Sequence, residues 1–563
     1  MNEAIYHVLA RFRATLDAGP DRMILRYVDK NMAPHERSWA RLLGEAASSA
    51  KQLADSGVKR GDILPVMRPM GIELIRDFLG AILLGAVPCV LAPPNRKMSH
   101  DVFLRKLLGM IGAKDLRACV IDESLGDFFA EHLARAHPGF RALTPASGST
   151  EDPTSWLARD VEPDDLAFMQ HSSGTSGIPK AVEISHLKIC AHADAYRDAL
   201  GVQSDDRIAS WLPLYHDMGM VACLWCGLLW DIPASHMSNF DWSLKPGRFL
   251  EEITRFKATL TWMPNFAFAY MAKNIPESQL AGIDLSSVRA WVNCSEPVLQ
   301  SSFDAFINRF SPLGVRKESL SASYAMAENV FAVSQSKRCP LTFNADRTAL
   351  EQQGVVRPAK PGSSSKTFVS SGRVVKGTEV RIVHRDNGKP LGDNSVGEIA
   401  LRGSLALSRY HGNEEATAQA IRDGWYHTGD LGFTLDGELF VIGRVKDLII
   451  CGGRNVDPTE MEMLANGIEG VIPGRVCCLG VENDEIGTQD IHLVVETHTP
   501  REQHQAIVDA LKAAVARETD FRIRQVWCVP HGWLIKSSSG KIARKESGEK
   551  LRTWITDLRM QFP

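Results

Sequence analysis

From about residue 35 to residue 445, stretches with helical spacing of apolar residues alternate with short β-branched runs, such as DILPVM (62–67), LRACVID (116–122) and ATLTWMP (258–264). This rhythm is the strongest constraint on the fold. Parallel strands need long crossovers, which helices supply, so the alternation predicts an α/β class with layered, substantially parallel sheets. A chain of 563 residues with 44% hydrophobic residues exceeds one cooperative core, so two or more domains are expected.

From 377 the character changes to strand–turn–strand. TEVRIVHRDNGKPLGDNSVGEIALRG places Asn387-Gly388 between two arms and Gly392-Asp393-Asn394 before the next strand, which predicts a small β-rich subdomain at about 377–445. A further hairpin, GELFVIGRVKDLIICGG, precedes NVDPTEMEMLANGI, where Asp457 is an expected N-cap, Pro458 the first helical residue and Glu460 the capping-box partner. Thr499, Pro500 and Glu502 repeat that grammar before HQAIVDALKAAVA. The expected organisation is a large N-terminal domain over 1–445, a hinge within GRVKD (443–447), and a smaller α+β domain over 446–563. The stretch 358–377 lacks helix signals and is expected to form loops or short strands.

Charge excludes some functions. With 64 Lys+Arg against 67 Asp+Glu and no long run of either sign, the chain lacks the basic footprint of a nucleic-acid or anionic-membrane binder. The first residues, MNEAIYHVLARFRATLDAGPDR, are charged throughout, unlike a secretory signal, so a cytoplasmic location is expected. The longest uncharged run, 78–94, contains Gly80, Gly85, Pro88, Pro93 and Pro94, and reads as a buried helix entering a buried strand rather than a membrane segment. Among the 11 cysteines the close pairs are Cys223/Cys226, within the apolar run VACLWCGLLW, and Cys477/Cys478; core packing is expected, without disulfides or a protein-held metal.

HSSGTSGIPKAVEISH (171–186) groups Ser172, Ser173, Thr175 and Ser176 around Gly174 and Gly177, with Lys180 close behind. Such a stretch is either a cradle of amides and hydroxyls for a polyphosphate or a flexible surface loop. The sequence has no Walker A loop, since neither NGKP at 387 nor SGKI at 539 has the required upstream glycine, and HExxH, GxSxG and GxGxxG are absent. TGD around Asp430 suits a turn or a site, Tyr324 a core aromatic or a stacking face, and the lysine of SSSGK a solvated surface or a mobile cation. His216-Asp217 completes neither a nucleophilic triad nor a metal site. Trp211, Met218, Met220, Trp225, Trp230 and Met263 form either plain core or the wall of an apolar tunnel.

Taken in order, HSSGTSGIPKAV, SYAMAEN (323–329), GWYHTGDLG (424–432), GRVKDLIICGGRN (443–455) and SSSGKIARK (537–545) resemble the signature motifs of the adenylate-forming acyl-ligase superfamily. Within it, WLPLYHDMGM (211–220) and the long segment between Glu328 and Gly377 are similar to the fatty acyl-AMP ligases. The resemblance implies ATP-dependent conversion of a fatty acid to acyl-AMP, then acyl transfer to a separate acyl carrier protein, with a mobile C-terminal domain joined at Lys446. It implies that Ser172, Ser173, Gly174, Thr175, Ser176, Gly177 and Lys180 cradle the phosphates, and that Glu328, with Thr175, holds the Mg²⁺ accompanying ATP. Ser295, Glu296, Ser323 and Tyr324 fall on the adenine side, Asp430 on the ribose, Arg444 on ribose or phosphate, His216 beside the acyl and adenylate pockets, and Lys541 on the carboxylate and α-phosphate. Ser176 stands where the pattern favours Thr, Ala181 where it favours Gly, and Cys294-Ser295 where it favours Gly-Ala.

The implied chemistry fits these residue types. A carboxylate is a poor acyl donor until it is joined to phosphorus, and bringing two anions together calls for cations and oriented donors where charge develops. The additional segment at about 341–376 implies restrained domain rotation, favouring a carrier protein over coenzyme A as acceptor. No phosphopantetheine attachment motif follows Lys541, so the carrier is expected on another polypeptide. An acyl-CoA ligase and a silent adenylate-binding scaffold are the rival readings.

Overall fold

Two large sheets with helices between and around them form the bulk of the molecule. The computed structural model describes residues 7–93, 116–126, 139–171, 180–451, 454–483, 488–519, 521–536 and 541–561. The nine-stranded sheet has a parallel centre in the order Leu320–Ala325, Ala290–Cys294, Leu260–Met263, Ile208–Ser210, Ala234–Met237, Met23–Val28, with antiparallel strands at both margins. The six-stranded sheet runs Arg141–Leu143, Ala118–Ile121, Ile63–Met67, Val87–Val90, Leu166–His171, Ala181–Ser185, parallel except for the last pair. The three runs expected as strands each contain one: Ile63–Met67, Ala118–Ile121 and Leu260–Met263.

Burial explains the run at 78–94. The helix Ile72–Leu84 lies within the core, buried at every position but Glu73 and with its buried Arg76 and Asp77 paired at 2.7 Å; Gly85 ends it at φ 80°, and the strand Val87–Val90 is wholly buried. Phe78, Phe168 and Trp225 meet at centroid distances of 5.4–6.0 Å, and aromatic pairs of this kind contribute about 0.5–1.5 kcal/mol beyond the area they bury. Cys223 and Cys226 lie buried in the adjoining helical run, whose first eight residues, Met218–Trp225, form a π-helix. Among the described residues no helix is long and apolar enough to cross a membrane.

The β-rich unit is a five-stranded sheet of Thr378–Val383, Gly397–Gly403, Trp425–Leu435, Ile421–Arg422 and Glu438–Arg444. Asn387-Gly388 sits at the tip between its first two strands, with Gly388 at φ 66° and the Asn387 side chain accepting from the Lys389 amide. The segment at 341–376 folds into the antiparallel pair Thr342–Asp346 and Ser365–Val369, with the helix Arg347–Gln353 between them. Its Ala345, Val356 and Phe368 share a small core with Phe433 and Phe440 of the β-rich unit.

Beyond residue 447 a separate apolar cluster, including Ile449, Met461, Leu493, Leu511 and Val526, is built on the three-stranded sheet Val476–Asn483, Thr488–Thr497, Ile523–Pro530. Asp457 caps the helix Pro458–Asn466 as expected, accepting from the Thr459 amide. Glu460 departs from the capping-box expectation: its carboxylate reaches outward to Arg347 and Lys366, whose charges outweigh one exposed amide. The repeat of that grammar at Thr499 also differs. A 3₁₀ turn, Arg501–Gln503, intervenes and the helix begins at His504, because Pro500 is extended at ψ 149° where a first helical residue would be needed.

Candidate active site

The carboxyl ends of the central parallel strands lead into the residues singled out by sequence, which is where open α/β sheets present ligand sites. After Ala290–Cys294 the chain turns at Ser295, whose φ of 70° is rare for a side chain other than glycine, and this turn presents Glu296. Glu296 Oε2 accepts from the Phe266 amide at 2.9 Å. After Leu320–Ala325 the 3₁₀ turn Ala327–Asn329 presents Glu328, and Val330 is held at φ 62° with its carbonyl accepting from Gln170 at 3.2 Å. A β-branched residue in that region stores strain, and the surrounding bonds hold it there.

Tyr324 and Asp430 join this sheet to the β-rich unit. The Tyr324 hydroxyl donates to Asp430 Oδ2 at 2.6 Å, and Arg444 Nε donates to Oδ1 at 3.2 Å. Asp430 and Arg444 face one another in register on neighbouring strands. Burial, reinforced by the Asp430 charge, pushes the Tyr324 phenol well above its ordinary value, so it remains a donor at neutral pH. Ser323, one residue earlier, projects to the opposite face and donates to the Ser334 carbonyl at 2.8 Å. Its hydroxyl is therefore committed to the sheet.

Glu328 is half-buried, and desolvation by the surrounding protein raises its carboxyl above the ordinary range. Its Oε1 accepts from the Tyr410 hydroxyl at 3.0 Å, and the ammonium of Lys180 lies 4.7 Å from the centroid of the Tyr410 ring. Ser172, Ser173, Gly174, Thr175, Ser176 and Gly177 lie outside the described residues. His216 Nδ1 is 2.6 Å from Asp217 Oδ1, and Asp217 also accepts from the Met218 amide at 2.8 Å. Burial alone would raise the Asp217 carboxyl, but His216 and Lys541 hold it below its usual value.

Lys541 comes from the C-terminal unit, yet its electrostatic surroundings are Arg444, Glu296, Asp217 and Cys294. Burial and the Arg444 charge lower its pKa, with Glu296 and Asp217 opposing. Its base is anchored by Arg544, whose guanidinium bonds Glu462 at 2.6 Å and Asp447 at 2.8 Å, and by the Ala543 amide on the Ile535 carbonyl at 2.8 Å. Arg544 belongs to the quoted SSSGKIARK motif, but only the fold reveals it as the strut behind Lys541. Tyr410 was not singled out by sequence either: its partners Glu328 and Lys180 lie 82 and 230 positions earlier, and no local pattern marks it.

The site thus assembles Lys541, Arg444 and Lys180 with Asp430, Glu328, Glu296 and Asp217, drawn from three separate parts of the chain. Cations interleaved with carboxylates and a phenol suit a ligand that is itself anionic and polyhydroxylated. A family model described as AMP-binding enzyme matches residues 12–411. The chain belongs to the AMP-binding enzyme family. The region matched to the AMP-binding enzymes includes Lys180, Glu296, Tyr324, Glu328 and Tyr410, while Asp430, Arg444 and Lys541 follow it.

Three proteins to which this AMP-binding enzyme is similar extend the likeness over nearly the whole chain. The medium-chain-fatty-acid–[acyl-carrier-protein] ligase JamA of Moorena producens is 29% identical over 530 residues, covering 89% of this chain and 88% of JamA. The long-chain-fatty-acid–AMP ligase FadD32 of Mycobacterium marinum is 28% identical over 532 residues, covering 86% and 84%. The crystal structure of a fatty acyl-adenylate ligase from L. pneumophila, in complex with acyl adenylate and pyrophosphate, superposes with a TM-score of 0.75 at 25% identity, covering 98% of this chain and 97% of the other.

Proposed function

We propose that the protein activates a fatty or related apolar carboxylic acid with ATP, forming acyl-AMP and releasing pyrophosphate, and then transfers the acyl group to the phosphopantetheine thiol of a separate acyl carrier protein. The observation that carries this reading is the arrival of Lys541 beside Arg444, Glu296 and Asp217, because it puts an ammonium from the C-terminal unit against the N-terminal site. In this reading Lys541 bridges the carboxylate and the α-phosphate as the acyl oxygen attacks phosphorus, so charge accumulating there meets a fixed cation. Asp430, oriented by Tyr324 and Arg444, accepts from the ribose hydroxyls. Ser295 and Glu296 border the adenine, and residues 172–177 with Lys180 cradle the leaving pyrophosphate.

Glu328 is the group suited to Mg²⁺, since a carboxylate oxygen is a hard ligand. The described residues contain no cluster of three or more His, Cys, Asp or Glu placed for a metal, so an ion at Glu328 would take its remaining oxygens from Thr175, nucleotide and water. Bound there, it would neutralise phosphate charge.

Two features support an apolar acid and a carrier acceptor. The indoles of Trp211 and Trp242 stack at 3.7 Å with 2° between their planes, and Trp242 also meets Phe266, whose amide is held by Glu296; this gives an aromatic wall beside the site. The segment at 341–376 is tied by charge to the C-terminal unit: Arg347 to Glu460, Lys366 to Asp457 at 3.2 Å, and Glu351 to Arg454. These pairs would oppose rotation of residues 446–563 about Lys446 and so disfavour coenzyme A. Fatty acids of graded length with ATP should release pyrophosphate, and offering coenzyme A and a phosphopantetheinylated carrier together should acylate the carrier. Silence across chain lengths would favour a scaffold, and efficient acyl-CoA formation with no carrier acylation would favour the rival ligase.

A further inference from the structure

Glu183 lies in the strand Ala181–Ser185, which starts immediately after Lys180 and is buried along its whole length. A lone carboxylate in such a strand would be costly. Both of its oxygens are engaged: Oε2 accepts from Arg409 Nε at 2.7 Å and Oε1 from His411 Nδ1 at 2.7 Å. Burial would raise this carboxyl, but the bonds from His411 and Arg409 hold it below its ordinary value, so it is an anion at neutral pH.

The two residues it grips are the immediate neighbours of Tyr410. The backbone repeats the attachment, with Val182 and Tyr410 forming an antiparallel bridge and the His411 amide donating to the Ala181 carbonyl at 2.8 Å. Held on both sides, Tyr410 has its ring beneath the Lys180 ammonium and its hydroxyl on Glu328. One anion therefore stands behind a side chain that touches both the lysine after the Ser/Gly stretch and the half-buried Glu328 across the site. We propose that Glu183 is a positioning residue for the nucleotide step: by clamping Arg409 and His411 it fixes Tyr410, and through Tyr410 the spacing of Lys180 and Glu328. Glu183 does not itself touch the nucleotide. The inference rests on the function proposed above, and adds a residue that acts through another.

The test is ATP–pyrophosphate exchange, driven by a fatty acid the wild-type protein accepts, with Mg·ATP and acid varied separately. Wild-type exchange is the control, since its absence would sink the proposed function rather than the role of Glu183. Glu183→Gln keeps the side chain's shape and removes its charge. It should lower kcat/KM for Mg·ATP about tenfold or more, the scale of a lost charge-assisted bond, while KM for the acid stays within about twofold. In the Tyr410→Ala background the same substitution should have little further effect, because its routes to Lys180 and to Glu328 are both already cut. Multiplying effects, or equal losses for Mg·ATP and acid, would overturn the proposal. If Glu183→Gln fails to fold, Arg409→Met releases one grip from a largely exposed side chain and should give part of the same Mg·ATP-selective loss; unchanged Mg·ATP kinetics there would also overturn it.

Discussion

The hydroxyl of Tyr324 donates to Asp430 Oδ2 at 2.6 Å, a bond between residues 106 positions apart that fastens the β-rich unit to the end of a central parallel strand. With Arg444 it fixes the orientation of the carboxylate that, in the proposed function, accepts from the ribose hydroxyls. Asp430→Asn keeps the shape but exchanges one acceptor oxygen for a donor. KM for ATP should rise by about tenfold to a hundredfold, and Tyr324→Phe should give a smaller rise in the same direction. Initial rates of pyrophosphate release at graded ATP would measure both; an unchanged KM for ATP in Asp430→Asn would remove Asp430 from the nucleotide site.

Lys541→Ala separates the two half-reactions. In the proposed function only attack on phosphorus calls for the Lys541 ammonium, so the variant should lose at least about a hundredfold in acyl-AMP formation yet still transfer the acyl group from presynthesised acyl-AMP to a carrier protein. Pyrophosphate release and mass spectrometry of the carrier report the two steps separately. Equal loss of both would contradict the assigned role.

The same lysine predicts a pH dependence. Burial, then the Arg444 charge, disfavours its protonated form and brings its pKa below the ordinary lysine value, with Glu296 and Asp217 opposing. The cation is present below that pKa and is lost as pH rises through it, so adenylate formation should fail at lower pH than an exposed lysine would allow, below about 10.4. Glu296→Gln removes a charge that raises the pKa and should move this alkaline limb further down. A pH profile of pyrophosphate release would show the limb, and transfer from presynthesised acyl-AMP should lack it.

Much of this arrangement can be read in the sequence, for reasons that differ from residue to residue. The buried helix and strand at 78–94 and the Asp457 cap follow from local patterns, which survive when their burial agrees with them. GELFVIGRVKDLIICGG, by contrast, is no hairpin: Glu438–Arg444 pairs with Trp425–Leu435, and Ile449–Cys451 with Arg454–Val456. Glu460 shows the limit. Its spacing from Asp457 specifies a capping box, but Arg347 and Lys366 arrive from about a hundred positions away and take its carboxylate. The Tyr410 clamp is equally hidden, since Glu183 and Arg409 are 226 residues apart and each resembles an ordinary surface charge in its own neighbourhood.

The ion pairs between the 341–376 segment and the C-terminal unit predict a change of acceptor. Lys366 is largely buried between Asp457 and Glu460, so Lys366→Met combined with Arg347→Met leaves those carboxylates without their cations and loosens the contact. The share of product appearing as acyl-CoA should then rise when coenzyme A and carrier compete, with pyrophosphate release retained. A product ratio identical to wild type would mean that these charges do not govern domain rotation.

The Trp211–Trp242 stack predicts a limit on the acyl chain. Two indoles packed in parallel at 3.7 Å leave no space between them for a methylene chain, and Phe266 and Tyr270 brace Trp242 from its other sides. In the proposed function, an acyl chain that reaches this stack meets a stiff aromatic wall rather than adaptable aliphatic side chains. Trp242→Ala removes half of the stack and opens a buried volume that longer acids can fill. Because each buried methylene is worth about 0.8 kcal/mol, two or three more in the opened space would raise kcat/KM for longer acids by about tenfold or more relative to the wild-type optimum. Pyrophosphate release across acids of increasing length should show the optimum move to longer chains. A fall in rate at every length with the optimum unmoved would make the stack ordinary core.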